Sequence, residues 1–163
     1  MREISAGFIL YRKTPEGRKF LILYHRGSYW NFPKGKIETE EKSFQTAVRE
    51  LKEETGIGRN EIKIIPNFKT SEKFAFWRPA KQNISHAQSE KGNKNNRVFK
   101  IVIFYLAETK KREIKLSPEH GGYAWFAFKD AMNVLDKYKD SQRVLKEVHN
   151  FLKNSDRKRY LKK

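Results

Sequence analysis

Apolar residues recur along the chain in two rhythms, and the change from one to the other marks its elements. Residues 4–12 are rich in Ile, Phe, Leu and Tyr and stop at the turn signal Thr14-Pro15-Glu16-Gly17; residues 19–25 then resume with Phe20, Leu21, Ile22, Leu23 and Tyr24. Such runs on either side of turn residues predict a hairpin. A short ordered turn is expected at Trp30-Asn31-Phe32-Pro33-Lys34-Gly35. Over residues 39–55 the period lengthens. Phe44, Ala47, Val48 and Leu51 fall at i, i+3, i+4 and i+7, the stripe of an amphipathic helix, with Thr39 placed as N-cap and Gly56 as the C-terminal cap. β-Branched and aromatic residues predict further strands at 61–65, 73–77, 98–108 and 123–128. The polar stretch from Arg78 to Arg97 has no periodicity, and a loop of that length is either functional or mobile. A short helix is expected near 129–135. A longer one, near 141–152, carries Val144, Leu145, Val148, Phe151 and Leu152 on one face. A single domain over residues 1–154, with a basic disordered tail at 155–163, is the expected organisation.

Composition narrows the chemistry. The chain has 163 residues of which 37% are hydrophobic, enough for one core of ordinary size. Its apolar N-terminal stretch is interrupted by Ser5, Ala6 and Gly7 and is far shorter than the roughly 20 residues of a membrane-spanning helix. No signal-peptide pattern is evident. A soluble, cytoplasmic protein with no membrane partner, monomeric or a weak dimer, is therefore expected. There is no cysteine, which excludes disulfides, a thiolate nucleophile and a cysteine-based zinc site. Carboxylates, His, Lys and Tyr must carry any reaction. Lys and Arg number 36 against 19 Asp and Glu, a formal net charge of +17, which attracts polyanions. Two segments concentrate the excess: residues 78–100 and 153–163 each hold six basic residues against one acidic. RNA is a partner class that this loop and tail admit, and the loop is expected to assist substrate capture rather than chemistry, because it is charged but its single carboxylate is Glu90.

The helix at 39–55 carries the strongest chemical signal. Successive residues turn by about 100°, so Glu50, Glu53 and Glu54 cluster on one face, roughly 115° from the apolar stripe. Like charges at i, i+3 and i+4 repel, and they lie toward the helix C-terminus, where the dipole also disfavours anions. A cation should compensate. Hard divalent ions take oxygen ligands and are commonly shared between carboxylates and phosphates, so Mg2+, with Mn2+ as the alternative, is the expected cofactor. The wider spacing is more specific. Gly35, five residues, Glu41, seven residues, then Arg49-Glu50-Leu51-Lys52-Glu53-Glu54-Thr55-Gly56-Ile57 matches G-x5-E-x7-R-E-U-x-E-E-x-G-U, where U is a bulky aliphatic residue, at every fixed position.

That pattern is the signature of the Nudix hydrolases, which the chain resembles throughout its folded length. The resemblance implies an α/β Nudix fold, an α/β/α sandwich with a mixed β-sheet, and hydrolysis of a phosphoanhydride in a nucleoside polyphosphate. It implies that Glu50, Glu53 and Glu54 bind metal, with Glu53 or Glu54 as general base, and that Arg49 orients a glutamate by a charge-assisted bond. It also implies that Gly35 lets backbone approach metal or phosphate, and that Lys34 offers its carbonyl to the metal. Outside the signature, Trp30-Asn31-Phe32-Pro33-Lys34-Gly35-Lys36, the strand from Lys100 to Glu108 and Leu116-Ser117-Pro118-Glu119-His120-Gly121-Gly122-Tyr123-Ala124-Trp125 resemble segments of the asymmetrical diadenosine tetraphosphate hydrolases, which release ATP and AMP. By that resemblance Glu119 adds a metal-linked carboxylate, and Lys34, Gly35, Lys36, Lys100, Tyr123, Phe76 and His120 meet the substrate. Phe74, Phe76 and Trp77 fall where these enzymes place aromatic residues able to stack on a base, although alternation makes Phe74 and Phe76 core candidates too. Tyr123 and Trp125 likewise have packing within a strand as their plain alternative.

The sequence departs from the usual pattern at Glu38-Thr39-Glu40-Glu41, where these proteins usually carry E-x-G-E, so a different turn into the helix is expected. Other substrates compatible with the residues are 5′-triphosphorylated RNA, damaged nucleoside triphosphates and inositol pyrophosphates. A non-catalytic nucleotide- or RNA-binding module is the reading from another class. Retention of every carboxylate of the signature weighs against it.

Overall fold

The computed structural model describes residues 1–26, 29–77 and 97–161. Residues 78–96, which contain most of the basic loop including Lys91 and Lys94, and the last two residues of the tail lie outside the described residues. Seven strands, β1 (Arg2–Thr14), β2 (Gly17–His25), β3 (Tyr29–Asn31), β4 (Lys34–Lys36), β5 (Ile62–Trp77), β6 (Arg97–Thr109) and β7 (His120–Ala127), form one sheet. Its main path runs β3-β2-β1-β6-β5, with β4 pairing β1 and β7 pairing β2. Only β1 and β6 run parallel; every other described pairing is antiparallel, so the sheet is mixed as expected. Three helices complete the fold: α1 (Ser43–Thr55), α2 (Phe128–Val134) and α3 (Lys139–Tyr160).

The near-continuous apolar run of β1 follows from burial on both faces. Ala6, Phe8 and Leu10 point toward Ala47 and Leu51 of α1, whereas Ile9 and Tyr11 point toward Leu135, Val144, Leu145 and Val148 on the side of α2 and α3. Alternation thus supplies two cores from one strand, and the chain is a helix–sheet–helix sandwich. No helix among the described residues is long and apolar enough to cross a membrane.

Several boundaries differ from the sequence expectation. The two runs at 61–65 and 73–77 belong to one strand, β5, whose pairing with β6 slips between Ile64 and Lys69, around Pro66 and Asn67 (φ 60°). Proline cannot donate to the ladder, and the irregular backbone there hides the continuity from a periodicity argument. The turn at 30–35 contains two short strands, β3 and β4, that clip Lys34 and Gly35 onto β1. α3 runs on to Tyr160, past the expected end of order at 154, and Arg18 of β2 meets Asp156 at 2.7 Å. That ion pair and the Ser155 hydroxyl, which donates to the Phe151 carbonyl, fasten the extension.

Helix α1 begins at Ser43, after N-cap Lys42, and not at Thr39. The preceding turn has Glu40 at φ 70°, a left-handed conformation that penalises any residue with a Cβ. Glu40 stands where related signatures place glycine, and with its Cβ it carries the strain of that conformation. Replacement Glu40→Gly is expected to stabilise the fold by about 0.5–1 kcal/mol after the entropy cost of glycine, a rise of a few degrees in Tm. Thermal denaturation checks this; an unchanged or lower Tm contradicts the strain.

Candidate active site

The site is assembled where α1 passes beneath β4. Gly35 is the point of closest approach. A Cβ there would stand 1.8 Å from the Glu50 carboxyl carbon and 1.9 and 2.2 Å from its oxygens, so the side chain of α1 occupies the space that glycine leaves empty. One turn further along the helix, the Glu54 carboxylate accepts the backbone N–H of Lys34 at 2.9 Å. Glu54 is 7% exposed. The spacing of the signature is thereby explained: glutamates at i and i+4 reach the same three-residue strand.

Arg49 organises the acidic face. Its Nε and Nη2 donate to the two oxygens of Glu41 at 2.7 and 3.0 Å, its Nη1 to Glu50 at 2.8 Å and Glu53 at 3.2 Å, and Nη2 also to the Lys36 carbonyl at 3.1 Å. The guanidinium and the Thr46 hydroxyl hold the Glu41 carboxyl down to about 2. Glu41 has a fixed place in the signature but no role that spacing could reveal; here it anchors Arg49. The expected orienting role of Arg49 thus extends to two glutamates of the acidic face and to the strand.

A cavity of about 530 Å3 opens over these groups, lined among others by His25, Tyr29, Lys34, Gly35, Lys36, Arg49, Glu50, Glu53, Glu54 and Glu119. All the carboxylates singled out from the sequence therefore share one wall. Among the described residues no group of three or more acidic or histidine side chains is gathered closely enough to hold a metal ion by itself. Arg49 holds Glu50 and Glu53, and the Lys34 amide holds Glu54. An open wall of hard oxygens fits a Mg2+-type ion, which retains waters and takes substrate phosphates as further ligands rather than needing a protein cage. Burial, reinforced by the charges of neighbouring glutamates, raises the pKa of both Glu50 and Glu54 above the usual carboxylate value, against the lowering effect of Arg49 on the first and Lys34 on the second. The group of Lys34 that meets this cluster is its amide N–H.

Behind Glu54 lies a small aromatic stack that the sequence did not disclose. His120 Nε2 is 3.5 Å from Glu54 Oε1, and Nδ1 is 2.8 Å from the Ser117 hydroxyl. The ring packs at 4.3 Å from that of His25, which stacks on Tyr29 at 4.4 Å. Burial, aided by the charge of Lys34, depresses the pKa of His25 to about 4 and lowers that of His120, so both rings are neutral near pH 7. His120 is 2% exposed and lines neither cavity of the site. Its place is beside Glu54, away from both cavity walls.

A second cavity, of about 620 Å3, adjoins the first and shares Tyr29 and Lys34 with it. Phe74, Phe76, Tyr138, Lys100, Lys137 and Lys139 line it, together with the buried Glu72 and Ser141. Phe76 and Lys100 line this cavity, and Phe74 joins them rather than the core. Tyr123 is not. It packs in the core under α1, and its hydroxyl accepts the Ile114 N–H at 3.3 Å, so the strand-packing alternative describes it. Trp77 follows Phe76 by one residue and turns to the opposite face. Tyr138, Lys137 and Lys139 arrive from the start of α3 and had no local signal in the sequence.

A Nudix domain pattern matches residues 1–148, and the chain belongs to the Nudix family. It is a Nudix hydrolase, homologous to a defined group of enzymes. The asymmetrical bis(5′-nucleosyl)-tetraphosphatase of Sus scrofa is 34% identical over 158 residues, spanning 91% of this chain and 94% of that protein. The Mus musculus enzyme of the same name is 32% identical over 126 residues, 76% of this chain and 72% of the relative. Among solved structures, a C. elegans Ap4A hydrolase binary complex matches with a TM-score of 0.75 at 25% identity, covering 93% of this chain and 98% of that one.

Two outcomes follow from the geometry. Gly35→Ala must displace Glu50 or β4; it is expected to cost about 1–3 kcal/mol of stability and to reduce kcat severely, and near-normal turnover would contradict the contact. His120→Ala is expected to lower kcat by about tenfold or more while leaving KM nearly unchanged, as for partners that orient a ligand from behind. A rise in KM alone would put His120 on the substrate instead.

Proposed function

We propose that this protein hydrolyses a dinucleoside polyphosphate, diadenosine tetraphosphate to ATP and AMP, with a divalent cation held by Glu50, Glu53, Glu54 and Glu119. The observation that carries this reading is the position of Lys34, shared by a cavity walled with carboxylates and a cavity walled with aromatic rings and lysines. A polyphosphate needs the first and a base needs the second. Phe74, Phe76 and Tyr138 offer π-faces for an adenine, and Lys34, Lys100, Lys137 and Lys139 offer charge to the phosphates that join it to the acidic wall. Similarity to two asymmetrical bis(5′-nucleosyl)-tetraphosphatases and to the Ap4A hydrolase supports the choice of substrate.

When bound, Mg2+ or Mn2+ would neutralise phosphate charge and make a water nucleophilic. The residues divide the remaining work. Arg49 keeps Glu50 and Glu53 on the cavity wall, whereas the Glu54 carboxylate accepts the Lys34 amide N–H and has His120 Nε2 3.5 Å away. We therefore assign the proton-accepting role to Glu54. The cytoplasm, where nucleotides are abundant, is the compartment this reading fits.

A substrate panel with Mg2+ tests it, comparing diadenosine tetraphosphate, 5′-triphosphorylated RNA, 8-oxo-dGTP and inositol pyrophosphates, with products resolved by ion exchange. ATP and AMP in equal amounts are expected as dominant products. A kcat/KM on RNA more than about tenfold higher, about 1.4 kcal/mol in transition-state binding, would overturn the substrate. In the same assay Glu54→Gln is expected to lose about three orders of magnitude or more in kcat with an unchanged melting curve, and EDTA to abolish turnover of the wild type.

A further inference from the structure

Strands β5 and β6 present different chemistry on their two faces. Phe74, Phe76 and Lys100 face the cleft, on the side of α3. On the other face the register sets Lys69 beside Tyr105, Lys73 beside Ile101, Ala75 beside Phe99 and Trp77 beside Arg97. β1 adds Ile4 next to Ile101 and Arg2 next to Phe99. Helix α1 covers this face as far as Tyr105, whose ring meets Phe44 edge-on at 5.2 Å and whose hydroxyl lies 2.8 Å from that of Ser43. Past that row, toward the start of β6, large side chains on this face are exposed. Phe99 is 53% exposed, Trp77 68% and Ile4 38%.

Cations are interleaved with these rings. The Arg97 guanidinium lies over Phe99 at 5.0 Å from the ring centre, and the Lys69 ammonium over Tyr105 at 5.6 Å. Arg2, Lys73 and Arg97 are exposed, and no Asp or Glu stands at any of these paired positions. An apolar partner would strip water from three or four cations and return no counter-charge. A partner with flat apolar groups strung on an anionic backbone satisfies both halves of the surface.

We propose that this face of β5, β6 and β1 binds single-stranded nucleic acid, with bases stacked on Phe99 and Trp77 and phosphates on Arg2, Lys73 and Arg97. The site is separated from the aromatic cavity by the thickness of the sheet and does not depend on the identity of the hydrolysed substrate. Net charge alone would give diffuse binding; the exposed rings make the contact local.

Fluorescence anisotropy of a fluorescein-labelled uridine oligomer, titrated with the full chain at several salt concentrations, tests this. Binding is expected, with a slope of log K against log salt of roughly −2 to −3 for three or four phosphates. Phe99→Ala and Trp77→Ala are each expected to weaken it at least tenfold, Phe99→Tyr to preserve it, and all three to leave kcat/KM on diadenosine tetraphosphate unchanged. Absence of binding, binding that survives both alanine variants, or displacement of the oligomer by AMP would overturn the proposal. So would concentration-dependent self-association in sedimentation that requires Phe99 and leaves no binding of the oligomer.

Discussion

One guanidinium fixes the geometry on which the site depends. Arg49 spends its donors on Glu41, Glu50, Glu53 and the Lys36 carbonyl, and so ties the turn before α1, the acidic face of α1 and strand β4 into one unit. Without it, glutamates one helical turn apart would repel and spread into solvent. With it, two of them are held on the cavity wall, ready to be bridged by a cation. The bidentate contact to Glu41 matters for a second reason. It anchors Arg49 from the side away from substrate, so the guanidinium does not have to be positioned by the groups it positions.

A second constraint is steric and works with the first. Glu50 can lie against β4 because Gly35 has no side chain, and Glu54 can meet the same strand because its amide N–H groups are within reach one turn further on. The helix is therefore registered against the strand by contacts made with functional carboxylates, at a place where an ordinary protein would use apolar packing. Burying charge in this way leaves Glu54 poorly solvated. The Lys34 amide limits the cost by donating to the buried carboxylate. Stability given up at the acidic face is recovered on the opposite side of α1, where Ala47 and Leu51 are fully buried against β1.

The fold and the acidic face were legible because both rest on short periodicities. Strand alternation gave β1, β2 and β6, the helical stripe gave α1, and nine fixed positions within 35–57 identified the chemistry. What escaped rests on contacts between distant segments or on backbone conformation. Nothing near Glu41 says that its partner is eight residues away. Tyr138 and Lys139 come to the cleft because α3 starts there, which a local pattern cannot state. Order in α3 beyond 154 depends on Arg18, far away in β2. The left-handed φ of Glu40 is a backbone conformation that a non-glycine residue does not announce in the sequence.

Tyr123 and His120 show the limit of transferring roles along a motif. Both lie in the segment from Leu116 to Trp125, which resembles a segment of related enzymes, yet neither lines the cleft. β7 pairs with β2, and that pairing sends Tyr123 under α1, while the bulge at Tyr24 and His25 sets His120 against His25. The segment is tied to the site through Glu54. His120 reaches that carboxylate from behind, and the Ser117 N–H donates to the Glu54 carbonyl at 3.2 Å, so the loop bearing Glu119 is fastened to the end of α1. A motif can thus act by fastening one element to another, here the loop of Glu119 to the end of α1, and not only by presenting its own side chains to a cavity.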